Sequence, residues 1–133
     1  MMRDFEALDR FLAERARMPF AWGSAANDCI SFYAAAARAM ADHDPIEGLK
    51  WSSEIGAARV IRRLGGFEAA VSSRMTPVAP AFAMRGDAAA VEHPEHGLSL
   101  MLVEGETLVA PGERGLERHP RAAMIIAWTL PHG

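Results

Sequence analysis

The chain has 133 residues, of which 50% are hydrophobic and 23% charged, and its formal net charge is −3. This length and composition predict one domain, covering residues 1–133, with enough apolar material for a core. The 14 Lys and Arg residues are scattered among 17 Asp and Glu, so we expect no nucleic-acid partner. A single cysteine excludes an internal disulfide and a cysteine-rich zinc site. No apolar run reaches the roughly 18 residues that a membrane span needs.

The first part of the chain, about residues 3–75, has the pattern of helices. Apolar residues at helical spacing predict four of them, at about residues 3–17, 29–41, 53–64 and 67–73. Pro19 follows the end of the first helix, and Ser52 or Ser53 is suited to cap the third. Gly65-Gly66 is expected to end that third helix.

The later part of the chain, about residues 84–130, has the pattern of strands. We expect four strands, at Asp87–Glu92, Leu98–Val103, Thr107–Ala110 and Ala123–Thr129. The last of these is almost entirely apolar, which is typical of a central strand. Helices followed by antiparallel strands predict an α+β domain with helices packed on a small sheet.

The segment from Pro19 to Cys29 joins the first two helices and carries the only cysteine. Asn27 and Asp28 are both good N-cap residues, so Cys29 is expected in the first turn of the second helix. There the helix dipole favours a thiolate, which is the reactive form of a nucleophilic cysteine. The alternative is that Cys29 is a small core residue on the apolar face of its helix.

These features together resemble the NlpC-type cysteine peptidases, which have a papain-like fold and cut peptide or amide bonds in bacterial cell walls. The resemblance is closer to small phage and prophage proteins of that superfamily that are encoded among tail genes. It extends from Phe5 to Trp128 and rests on these segments: Pro19-Phe20-Ala21-Trp22-Gly23, Asp28-Cys29, Asp44-Pro45, Gly56-Ala57-Ala58, Met84-Arg85-Gly86-Asp87 and Ala127-Trp128.

The resemblance implies that Cys29 is the nucleophile, but it gives no clear base. It places the base of NlpC-type enzymes at Gly97 and the residue that orients the base at Val109. His96 is one residue away, and a one-residue slip turns a strand side chain to the other face. His96 therefore reaches Cys29 only if Gly97 forms a bulge or if His96 lies before the regular strand.

Other candidate residues surround the cysteine. Trp22 and Asp28 are the candidates for substrate contacts, although a tryptophan in such a loop more often packs the loop onto the core. His93 and His96 lack the further ligands that a zinc site needs, so a solvated loop is expected there. We expect no metal and no cofactor.

Three functions remain open from the sequence. The first is a phage tail-tip or baseplate component with a degenerate peptidase fold, which docks against other tail proteins in the virion. The second is an active cysteine amidase or endopeptidase that opens peptidoglycan during DNA entry, with Cys29 as nucleophile and His96 as base. The third is a cytosolic thiol enzyme acting on small amides. The absence of a base at Gly97 and of an orienting residue at Val109 favours the first slightly over the second.

Overall fold

The computed structural model describes residues 2–131, with helices first and strands afterwards. The helices are α1 (Phe5–Arg15), α2 (Cys29–Ala41), α3 (Glu54–Arg63) and α4 (Phe67–Ser72). The strands are β1 (Thr76–Val78), β2 (Ala88–His93), β3 (Gly97–Val103), β4 (Thr107–Gly112), β5 (Gly115–Pro120) and β6 (Ile126–Thr129). The predicted α+β class is confirmed.

Side-chain caps fix the starts of the first three helices. Asp4 accepts a hydrogen bond from the third residue after it at the start of α1, and Ser53 does the same at the start of α3. At α2, Asp28 caps the first turn, and the hydroxyl oxygen of Ser31 accepts a hydrogen bond from the backbone N–H of Asp28. Such caps satisfy N–H groups that have no partner inside the helix.

The six strands form one antiparallel sheet in the order β1-β6-β2-β3-β4-β5. Each strand pairs with its neighbour in the chain, except that β6 lies between β1 and β2. The last strand therefore has a neighbour on both sides, as its apolar sequence predicts. It is shorter than predicted, because Arg121–Ala123 forms a single 3-10 turn and the strand begins at Ile126.

Two edge strands were missed in the sequence. Gly112 pairs with Gly115 across the tight turn that joins β4 to β5, and β5 lies beyond the four strands that the sequence predicts. Thr76-Pro77-Val78, ahead of the first predicted strand, pairs with β6 as β1. Both strands have a partner on one side only, so neither needs the apolar alternation that identifies a half-buried strand.

Apolar side chains cover both faces of the sheet. Alternate residues of the strands face α1 and α2, where Phe32 and Trp128 are fully buried in the largest cluster. The residues between them, such as Ala89 and Val103, pack in a second cluster on the opposite face. A third and smaller cluster around Trp51 holds α3 against the loop before it. This arrangement places the start of α2 beside the start of β3.

Candidate functional site

The loop between α1 and α2 folds into a short hairpin that delivers Cys29. Ala21 and Asn27 exchange two backbone hydrogen bonds of 3.1 and 2.9 Å, and Gly23 at the bend has a φ of +144°. Asn27 is 2% exposed. Its side-chain oxygen accepts a bond from Arg15 of α1, and its amide donates to Met18 and Pro19. The loop is thereby tied to the end of the preceding helix.

Asp28 is fully buried, and its carboxylate is saturated with hydrogen bonds. One oxygen accepts from the backbone N–H groups of Ile30 and Ser31, at 3.0 and 2.8 Å. The other accepts from the N–H of Gly23 at 3.0 Å and from the indole N–H of Trp51 at 2.8 Å. The carboxylate that was predicted to contact substrate thus caps α2 and orders the loop. A substrate contact by Asp28 stays an untested prediction.

Cys29 is the first residue of α2, as the capping pattern predicts, and it is partly buried. Burial raises the pKa of its thiol, and the nearby Asp28 carboxylate raises it further. Contacts with the backbone of Leu100 and the hydroxyl of Ser99 lower the pKa in part. The helix start favours the thiolate and burial favours the neutral thiol, and the net shift of the Cys29 pKa is upward.

Cys29 opens into a broad groove between the start of α2, α3 and the β2–β3 and β4–β5 hairpins. The groove is also lined by Trp22, Glu54, His96 and Ser99. The structure therefore brings together the predicted nucleophile, the predicted base and one of the two predicted substrate contacts. Asp28 lies beneath the groove and does not line it.

His96 lies in the turn before β3, and Gly97 has a φ of +80°. His96 therefore lies before the regular strand, which is one of the two arrangements in which its side chain could reach Cys29. Nδ1 of His96 is 3.6 Å from Oε2 of Glu54, at ion-pair distance. The rings of Trp22 and His93 lie 6.0 and 4.5 Å from the imidazole, edge-on and stacked respectively. Among residues 2–131 no hydrogen bond joins His96 to Cys29.

Glu54 is the residue that the sequence analysis missed. It is the first residue of α3, 42 positions before His96 in the chain, and nothing in its local sequence distinguishes it from a solvent-exposed first-turn acid. Val109, the position to which the resemblance assigns the orienting residue, is fully buried in the core. A carboxylate thus approaches the histidine from a helix on the other side of the groove, while the β4 position is apolar.

The described part of the chain contains no group of three or more His, Cys, Asp or Glu residues placed to hold a metal ion. Within residues 2–131, no helix combines the length and hydropathy needed to cross a bilayer.

Comparison with known proteins identifies the family. A family model described as "Domain of unknown function (DUF6950)" matches residues 2–130. The chain belongs to this family. Among solved structures, it is similar to the NlpC/p60 domain of the peptidoglycan hydrolase SagA, with a TM-score of 0.61 and 13% sequence identity. That match covers 96% of this chain and 99% of the other. No curated protein matches.

The predicted NlpC-type fold is confirmed by this likeness. At 13% identity the likeness extends to the fold and not to the activity. A position in a phage tail and the loss of catalysis stay predictions.

Proposed function

We propose that this DUF6950 chain is a thiol-dependent hydrolase of cell-wall peptide or amide bonds. One observation carries the proposal: a single groove holds the Cys29 thiol and the His96 imidazole, and Glu54 faces the Nδ1 side of that imidazole. A nucleophile, a base and a group that orients the base are the parts that acyl transfer by cysteine requires. The cell-wall substrate class comes from the fold that the chain shares with a peptidoglycan hydrolase domain.

The position of Glu54 assigns different roles to the two imidazole nitrogens of His96. With Nδ1 of His96 directed at Glu54, Nε2 is the nitrogen that takes the proton from the Cys29 thiol. The sulfur then attacks the amide carbon, and the same proton goes to the leaving amine as the C–N bond breaks. His96 then takes a proton from a water molecule, whose oxygen attacks the thioester carbon. The C–S bond breaks, the acid product leaves, and His96 returns the proton to the Cys29 sulfur. Because the resting thiol is neutral, the proton transfer accompanies attack on the bound substrate.

The capping of α2 limits which backbone N–H groups can donate a hydrogen bond to the oxyanion. The N–H groups of Ile30 and Ser31 bond to the Asp28 side chain, and that of Phe32 bonds to the Asp28 carbonyl. Among the described residues of this first turn, the backbone N–H of Cys29 itself is the one left without an oxygen acceptor. It is therefore the donor that would stabilise the tetrahedral oxyanion.

Digestion of purified peptidoglycan fragments, followed by mass spectrometry, tests the proposal. We expect cleavage by the native chain, none by Cys29→Ala, and a loss of 10²-fold or more in His96→Ala. His119→Ala is the matched control, because His119 also lines the groove and pairs with a carboxylate, Glu117, at 3.1 Å. Intact fragments after incubation with the native chain, or equal cleavage by the Cys29 variant, would contradict the proposal.

A second candidate function is a docking module of a phage tail, made in the host cytoplasm and carried in the virion. Two residues favour this function. The resemblance assigns the catalytic base to Gly97, which has no side chain, and the residue that orients the base to Val109, which is apolar. In this function other tail proteins are the partners. Mass spectrometry of purified particles should then detect the chain, and Cys29→Ala particles should infect as well as native ones. Particles that lack the chain would exclude this role.

A further inference from the structure

An apolar cleft lies beside the groove, between α2, α3 and α4. It is lined by Ile46, Leu49, Val60, Leu64, Ala70 and Val71, among others. Its volume is about 60 Å³, and a water molecule needs roughly 10–15 Å³ of such space. The cleft therefore has room for a group of about four heavy atoms.

The lining of the cleft is almost entirely apolar. Three lining residues carry polar groups, Tyr33, Trp51 and Arg74, and each donates a hydrogen bond to a residue that does not line the cleft. The Tyr33 hydroxyl donates to the carbonyl of Gly86 at 2.7 Å, and the Arg74 guanidinium donates to the carbonyl of Glu47 at 2.7 Å. A cavity without polar partners holds water poorly and favours hydrocarbon. The cleft is therefore suited to an aliphatic group.

The cleft and the groove that holds the thiol share a wall. Ile30, Ala57, Ile61 and Phe67 line both. Ile30 directly follows Cys29 in the first turn of α2, so the apolar space begins one residue from the nucleophile. The cleft and the groove therefore adjoin along side chains that are all apolar.

We propose that this cleft is a subsite for a short aliphatic group of the molecule that reacts with Cys29, such as an alkyl side chain of a peptide. The inference rests on the proposed function for the position of the reacting carbonyl. The preference itself is a property of the cleft, so it is measurable on the thiol without any turnover. Each methylene moved from water into the cleft is expected to increase the rate of thiol modification about fourfold, from the transfer free energy of a CH₂ group.

The test compares alkylation of Cys29, the only cysteine, by N-ethylmaleimide and N-hexylmaleimide, each rate divided by that of glutathione. The hexyl chain has four methylenes more than the ethyl chain, so we expect the hexyl reagent to be favoured about 16-fold if two of them enter the cleft and about 250-fold if all four do. Ala70→Leu fills the cleft and should reduce that ratio to near one. Ala69→Leu is the matched control, because Ala69 is exposed on the same helix, and it should keep the native ratio.

Two results would overturn the inference: a native ratio near one, or a preference for the hexyl reagent that Ala70→Leu leaves intact. If Cys29 reacts with neither reagent, the proposed hydrolase fails, and the cleft is then judged by its binding of 1-hexanol. Methyl NMR signals of Leu49 and Leu64 should shift on titration in the native chain. Unshifted signals would refute the subsite independently of the thiol.

Discussion

The carboxylate of Asp28 connects the loop before Cys29 with the helix after it. It has no exposed surface and accepts four hydrogen bonds, from Gly23, Ile30, Ser31 and Trp51. Hydrogen bonds to a charged group contribute about 1.5–3 kcal/mol each, and buried donors that lose their acceptor are costly. The position of the thiol therefore depends on one side chain that lies beneath the groove.

Asp28→Ala is expected to lower the free energy of unfolding by about 3 kcal/mol or more, because four donors lose their acceptor together. Asp4→Ala is the matched control: Asp4 is also an N-cap, but it is exposed and accepts one bond from the N–H of Ala7. Its removal should cost about 1 kcal/mol. Urea unfolding measures both, and equal losses would show that Asp28 acts as an ordinary cap.

The pH dependence of Cys29 alkylation by iodoacetamide should reflect the raised pKa of the thiol. We expect the midpoint of the rate profile to lie above the unperturbed value of about 8.5, because burial disfavours the thiolate. Ser99→Ala removes a contact that lowers the pKa, so it should move the midpoint further up. A midpoint below the unperturbed value would mean that the helix dipole prevails after all.

At the scale of elements, strand β5 is held against the end of helix α1 by a close backbone contact. A Cβ on Gly115 would lie 2.3 Å from the carbonyl oxygen of Ala16. Gly115 also has a φ of +133°, a conformation that other residues rarely adopt. The glycine thus permits the hairpin of β4 and β5 to reach the helix that precedes the cysteine loop.

Gly115→Ala is expected to lower the free energy of unfolding by about 3 kcal/mol, from backbone strain together with a forced shift of the helix end. Gly105→Ala is the control, since Gly105 has a φ of +153° but no heavy atom within 4 Å of the added Cβ. It should cost about 1–2 kcal/mol from strain alone. Thermal unfolding compares the two variants, and the same loss in both would remove the contact with α1 from the explanation.

The elements that the sequence predicts well are those with local causes. Helix α2 begins at Cys29 as predicted, because Asp28 supplies a cap within the sequence itself. Strands β1 and β5 have no such local signal, because an edge strand is specified by its neighbour. The pairing of His96 with Glu54 is less predictable still, since it depends on a turn, a positive φ at Gly97 and the placement of a separate helix.

At the scale of the whole molecule, Tyr33 connects α2 to the start of the sheet. It is 1% exposed, and its hydroxyl donates to the carbonyl of Gly86 just before β2. Burial raises the pKa of this phenol far above its usual value, so the folded state excludes the tyrosinate. Because Tyr33 is the only tyrosine, its ionisation reports on the folded state of the entire chain.

Below about pH 10 the phenol is neutral in both the folded and the unfolded chain, and it contributes no pH dependence. Above that pH the unfolded chain releases the proton while the folded chain retains it, so stability should fall as pH rises. We expect tyrosinate absorbance to appear only as the circular dichroism of the folded chain is lost. Tyr33→Phe should reduce this fall in stability. The pH dependence that remains in this variant should be reduced by Cys29→Ala, because burial also raises the pKa of that thiol. Tyrosinate in a fully folded chain would contradict the burial.

The position of β6 has a consequence for how the protein is made. The strand fills the space between β1 and β2, yet it comes last in the sequence. A chain emerging from the ribosome presents β2 and β3 as a local hairpin, while the edges of β1 and β2 that β6 will join stay unpaired until residues 126–129 appear. Unpaired strand edges are templates for association between chains. The arrival of β6 therefore both completes the sheet and removes these two edges as sites at which nascent chains can pair with one another.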